Sequence, residues 1–98
     1  MLELRETAEF SAWLKDLRDG TARARILVRV ERVARGNPGD VEPVGEGVSE
    51  MRLHFGPGYR VYFIQRGNAY VLLLAGGDKS TQDRDVIVAK RLAAEYQE

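Results

Sequence analysis

The chain has 98 residues, 44% apolar and 31% charged, which suffices for one domain with a small core and leaves little room for a second. It has no cysteine and a single histidine, which excludes disulfides, thiolate chemistry and cysteine-based metal centres and leaves no histidine cage. Fifteen basic and fifteen acidic residues cancel, so the molecule is not a polycation, and no apolar run approaches the roughly 20 residues of a membrane span.

Leu2 and Leu4 alternate with Glu3 and Arg5, the pattern of a short strand. Phe10, Trp13, Leu14 and Leu17 then fall on one face of a helix that Thr7 caps and Gly20 ends. A second helix over 21–35 places Ile26, Leu27, Val30, Val33 and Ala34 on one side and most of its arginines on the other. The two should pack as a hairpin. The acidic, glycine-rich stretch from Gly36 to Gly47 reads as a surface loop.

From Val48 the period changes to two. Met51, Leu53 and Phe55 alternate with Glu50, Arg52 and His54, so Arg52 and His54 share a face. Gly56-Pro57-Gly58 is a turn, Tyr59 to Gln65 a second strand of this set, and Tyr70 to Ala75 a third, apolar enough to lie centrally. After Gly76-Gly77, Ser80 or Thr81 caps a last helix with Asp83 and Asp85 in its first turn. The order is α+β in one domain over 1–98: a short N-terminal strand, a helical hairpin, a three-stranded antiparallel meander and a C-terminal helix.

Charge is patterned along this order. Residues 23–35 hold five arginines against one acid, 36–50 hold four acids and no base, and 51–79 hold four bases against one acid.

Two stretches, Glu50-Met-Arg-Leu-His-Phe-Gly-Pro-Gly-Tyr-Arg-Val-Tyr-Phe63 and Leu72-Leu-Leu-Ala-Gly-Gly-Asp-Lys-Ser-Thr-Gln82, resemble the RelE/ParE toxin superfamily, most closely its HigB-like "addiction module killer" branch. The resemblance implies the toxin of a bacterial type II toxin-antitoxin pair with a RelE-like fold, acting in the cytoplasm. RelE-like and HigB-like toxins cleave messenger RNA in the ribosomal A site without a cofactor or metal, whereas ParE-like members inhibit DNA gyrase. The implied partners are the ribosome, mRNA and a helix-turn-helix antitoxin.

Metal-free RNA cleavage needs a proton acceptor for the 2′-hydroxyl, a proton donor for the leaving 5′-oxygen and positive charge at the phosphate. His54, the one side chain that ordinarily titrates near neutrality, and Arg52 beside it suit proton transfer next to an anion, or serve as ordinary surface residues. The resemblance places Arg60 on the arginine that RelE-like toxins turn against the scissile phosphate. The alternative is an ion pair across the hairpin with an acid such as Glu50. Lys79 matches the basic position after the glycine in RelE-like toxins, or is a solvated loop lysine. Asp85 stands where those toxins carry a tyrosine, and either takes part in proton transfer or complements the helix N-terminus. Tyr62 shares the Arg60 face and either stacks on an unpaired base or packs on its neighbours. Arg29 and Arg32, with the other arginines of the second helix, are expected to contact RNA backbone or antitoxin. Against the nuclease stand two other readings, a ParE-like gyrase inhibitor that needs neither His54 nor Lys79, and an inactive relic that only binds antitoxin.

Overall fold

In the computed structural model, which describes residues 1–96, Thr7 caps helix α1 (Ala8–Asp16) as its spacing predicts, its Oγ1 accepting from the backbone N–H of Phe10 at 3.0 Å. Gly20 does not close this helix. It is the first residue of α2 (Gly20–Ala34), because the Asp19 carboxylate accepts from the N–H groups of Thr21 and Ala22 and so begins a helix there. Ile26, Val30, Val33 and Ala34 of α2 are buried, but Leu27, expected on the inner side, is 46% exposed.

The sheet has five strands in the order β1-β5-β4-β3-β2, where β1 is Glu3–Glu6, β2 Val41–Gly45, β3 Val48–Arg52, β4 Arg60–Arg66 and β5 Tyr70–Gly77. Strands β2 to β5 are successively antiparallel, and β1 joins β5 in parallel, so the sheet is mixed. The expected meander is therefore present as β3–β5 and enlarged at both edges. Strand β2 lies inside the stretch expected to be a loop: Val41 pairs with Met51 and Glu42 with Glu50, with an irregularity between Pro43 and Gly45. An edge strand tolerates that proline because its outer N–H positions need no partner.

Helices cover both faces. On one, Phe10 and the apolar side of α2 meet Met51, Leu53, Val61, Phe63, Val71 and Leu73. On the other, Val48, Tyr62, Ile64, Leu72 and Leu74 meet Ala89 and Ala93 of α3 (Gln82–Glu95). Each fully buried Val, Leu, Ile or Phe contributes about 1.5–3 kcal/mol, which makes this two-sided core the main source of stability. A short 3-10 turn, Lys79–Thr81, precedes α3. Neither Ser80 nor Thr81 caps α3 through its side chain; instead the Asp78 carboxylate accepts from the N–H of Ser80 at 2.8 Å, and Thr81 Oγ1 accepts from the N–H of Asp78 at 3.2 Å.

The double glycine thins the sheet where it is squeezed from both sides. A Cβ at Gly76 would overlap the indole of Trp13, and one at Gly77 would overlap the carboxylate of Asp85. No described helix is long and apolar enough to cross a membrane.

Candidate functional site

The C-terminal end of β3, the start of β4 and the end of β5 lie at one end of the sheet, so the β3–β4 turn and the β5–α3 loop meet there. Lys79 N–H donates to the carbonyl of Pro57 at 3.4 Å. Gly58, at φ 78°, lets the turn press on the loop: a Cβ there would stand 3.3 Å from Lys79 Cβ and 3.8 Å from Arg60 Nη1. Between them is a depression of about 420 Å³ lined by residues including His54, Phe55, Arg60 and Lys79.

Arg60 is the unusual residue of this site. It is only 8% exposed, its Nε is buried without a hydrogen-bond partner, and its guanidinium forms no hydrogen bond or ion pair among the described residues. The expected alternative, pairing with Glu50, does not occur, because register sets Glu50 opposite Tyr62 and Arg60 opposite Arg52. A buried charge left unpaired costs several kcal/mol, so the site gains free energy from any anion that reaches it. Lys79 is exposed at the mouth of the same depression.

The loop that carries Lys79 is held from below. Thr81 Oγ1 donates to Asp85 Oδ2 at 2.5 Å, and Asp85 is buried against Gly77 with Arg84 Nε 3.6 Å away. Asp85, expected to take part in proton transfer, is thus enclosed beneath the loop and does not line the depression; it shapes the backbone that presents Lys79.

Tyr62 is fully buried, and its hydroxyl donates to Glu50 at 3.0 Å, a carboxylate that also accepts from Gln82 Nε2 at 2.9 Å. Burial first, and the Glu50 contact second, push the Tyr62 hydroxyl well above the ordinary phenol range. Of the two readings open for Tyr62, packing on its neighbours holds and stacking on a base does not, because α3 covers the face that Tyr62 shares with Arg60. Phe55 is a half-buried aromatic that lines the depression, with the Arg25 guanidinium 3.9 Å over its ring and Tyr59 at 5.6 Å. Alternation assigns Phe55 to the core face, and it packs partly there, so its second role at the surface carries no sequence signal.

Arg52 is drawn away from Arg60 toward the β2 edge. Its Nη2 pairs with Glu42, and its Nε lies 3.8 Å from Asp40 and 4.0 Å from Glu50. The hydrogen bond that the guanidinium donates to Glu42 raises it above its usual range. Arg52 therefore stands in an acidic cluster, contrary to the expectation that it joins His54 at a phosphate. His54 lines the depression and is paired through Nε2 with Asp40, whose carboxyl is held below the ordinary carboxylate range first by that contact.

A second depression of about 490 Å³ adjoins the first, sharing Leu53, His54 and Phe55, and is walled by Arg25, Val28, Arg29 and Arg32 of α2. No acid is among the lining residues of either, in a chain that carries fifteen. Arg32 is exposed here, as a backbone contact would require. Arg29 is occupied with the protein's own backbone: Nη1 donates to the carbonyl of Arg52 at 2.9 Å, and Nη2 to those of Pro38 at 3.2 Å and Asp40 at 3.3 Å. Burial pulls its guanidinium below the ordinary range. Its charge still reaches the groove, but its donors are largely spent. Among the described residues no three His, Asp or Glu side chains gather as metal ligands.

No family model matches the chain. No solved structure matches it either. A search of curated proteins finds an uncharacterized protein of Haemophilus influenzae that is 44% identical over 94 residues, spanning 96% of this chain and 95% of the relative. Identity at that level over nearly the full length of both chains makes this protein a member of the same family as that Haemophilus influenzae protein.

Proposed function

We propose that the protein is a toxin of the RelE/ParE superfamily, of the HigB-like branch, that cleaves ribosome-bound messenger RNA without a metal and is held in check by a helix-turn-helix antitoxin. The observation that carries this reading is the buried guanidinium of Arg60, without a hydrogen-bond or ion-pair partner among the described residues, beside Lys79 in a depression with no acid among its described lining residues. A guanidinium fork matches phosphate oxygens in pairs, and its charge counts for more in a partly enclosed site than in bulk water. The basic groove along α2 continues from this depression and suits the flanking phosphates of a single strand or ribosomal RNA. In this mechanism the 2′-oxygen attacks phosphorus in line and the bond to the 5′-oxygen breaks. The products are a 2′,3′-cyclic phosphate and a free 5′-hydroxyl.

Primer extension on mRNA from cells expressing the chain tests the reading. New 5′ ends, abolished by Arg60→Ala, are expected, and growth arrest without new ends contradicts it. A second reading, a ParE-like inhibitor of DNA gyrase, is favoured by one observation: Arg52, Tyr62 and Asp85 are all withdrawn from the depression, which leaves fewer groups for proton transfer than for binding. Inhibition of supercoiling that survives His54→Ala and Lys79→Ala would select it.

A further inference from the structure

Asp40 joins two features that the phosphate site alone does not explain. The His54 side chain is 70% exposed, and an imidazole so exposed ordinarily samples several rotamers. Here its Nε2 is paired with the Asp40 carboxylate. An ionised carboxylate only accepts hydrogen bonds, so the proton of the neutral ring sits on Nε2 and the lone pair on Nδ1.

A carboxylate positions a ring only if its own backbone is fixed, and the backbone at Asp40 is. Its carbonyl accepts from the N–H of Arg52 at 3.0 Å and from Arg29 Nη2 at 3.3 Å. The same guanidinium takes the carbonyls of Pro38 and Arg52, which ties α2 to the 38–40 turn and to the end of β3. Gly39, at φ 73°, lies flat on that guanidinium, where a Cβ would stand 3.1 Å from Nη2. Arg29 is therefore the partly buried anchor of a chain of contacts, Arg29 to the Asp40 backbone and Asp40 to His54, that ends in the depression holding Arg60 and Lys79.

We propose that Asp40 is a positioning residue: on a turn clamped by Arg29 it holds the His54 ring through Nε2, leaving Nδ1 as the proton acceptor for RNA cleavage. The proposal rests on the nuclease reading above. The 2′-hydroxyl proton passes to Nδ1 as the 2′-oxygen bonds to phosphorus. The bond from phosphorus to the 5′-oxygen breaks, and that oxygen leaves with a proton from water. The hydroxide so formed takes the proton back from the imidazolium, which restores the ring.

Asp40→Asn separates this role from simple charge neutralisation. The substitution removes a negative charge beside a basic site, so electrostatics alone makes RNA bind more tightly and be cut at least as fast. Positioning predicts the opposite split: KM for ribosome-bound mRNA unchanged or lower, and kcat lower by roughly tenfold to a hundredfold, the cost of a misaligned base, with Asp40→Glu recovering part of the loss. The single histidine supplies a second measurement that needs no activity. Carbon-13 relaxation of its ring is expected to give an order parameter near about 0.8 in the native chain and below about 0.6 in Asp40→Ala. A ring equally mobile in both proteins, or a kcat that Asp40→Asn leaves intact, overturns the positioning role and spares the nuclease reading. A native chain that cuts no ribosome-bound message overturns both.

Discussion

Arg60 is buried with no hydrogen-bond partner among the described residues, and it lines a depression that suits an anion. An arginine conserving only structure would have a carboxylate within reach, and Glu50 and Asp85, two buried acids of the same polar layer, are both spoken for by Tyr62, Gln82 and Thr81. Arg60→Met should therefore fold with an unchanged or higher urea midpoint, because an unpaired buried charge is removed, while RNA cleavage falls by about 10²-fold or more. Loss of folding on that substitution would assign Arg60 to the core. The acid side of stability is set elsewhere. Asp40 and Asp78 have carboxyls held below their ordinary 3.8, Asp40 chiefly by His54 and Asp78 chiefly by Ser80. A depressed carboxyl contributes stability that is complete above the unfolded value and lost as pH falls through the folded one. Urea midpoints are expected to drop below about pH 4, less steeply in Asp40→Asn than in the native chain.

The elements that periodicity reveals are those whose partners are close in sequence. The Thr7 cap, the apolar face of α2 and the hairpins around Gly58 and Gly67 are all local, and each forms where its spacing predicts, with Leu27 of α2 the exception. Strand β2 is not legible in this way. Val41-Glu-Pro-Val-Gly has a proline, a glycine and no clean alternation, and it is a strand only because β3 offers it an edge. That one unforeseen element accounts for several misplacements at the site. It supplies Glu42, and the turn before it supplies Asp40, so Arg52 and His54 meet acids there and Arg29 meets carbonyls in place of RNA. For Tyr62 the sequence leaves stacking and packing both open, for a different reason. Alternation gives the face of a residue but not what covers it, and here α3 does.

Gly76 and Gly77 make the complementary point, since their use becomes visible only when Trp13 and Asp85 are seen on either side. Overpacking of this kind costs about 1–3 kcal/mol, so Gly77→Ala should lower the Tm by roughly 5–20 °C in a domain of this size. It should also displace the Lys79 loop, read as a loss of RNA cleavage beyond what the stability change explains. Arg29→Lys, which keeps the charge but cannot span three carbonyls, should lower stability by about 1–2 kcal/mol and speed amide exchange at Asp40 and Arg52, measured by hydrogen exchange.

At the scale of the whole molecule, a net charge of zero conceals a division of labour. The acids of 36–50 hold the β2 edge together, while the bases that escape them, Arg25, Arg32, Arg60 and Lys79, line two adjoining depressions at one end of the sheet. Such a surface attracts a polyanion without making the protein bind nucleic acid over its whole exterior. Raising salt is expected to weaken RNA binding steeply, and Arg25→Ala with Arg32→Ala to reduce that slope by about two, one per phosphate contact. The most direct measurement is a map of 5′ ends on ribosome-bound mRNA after brief induction of the native chain and of Arg60→Met in the same cells. The account predicts discrete new ends within coding sequence in the first and none in the second. Equal patterns in both, or growth arrest by the native chain with no new ends, would contradict it.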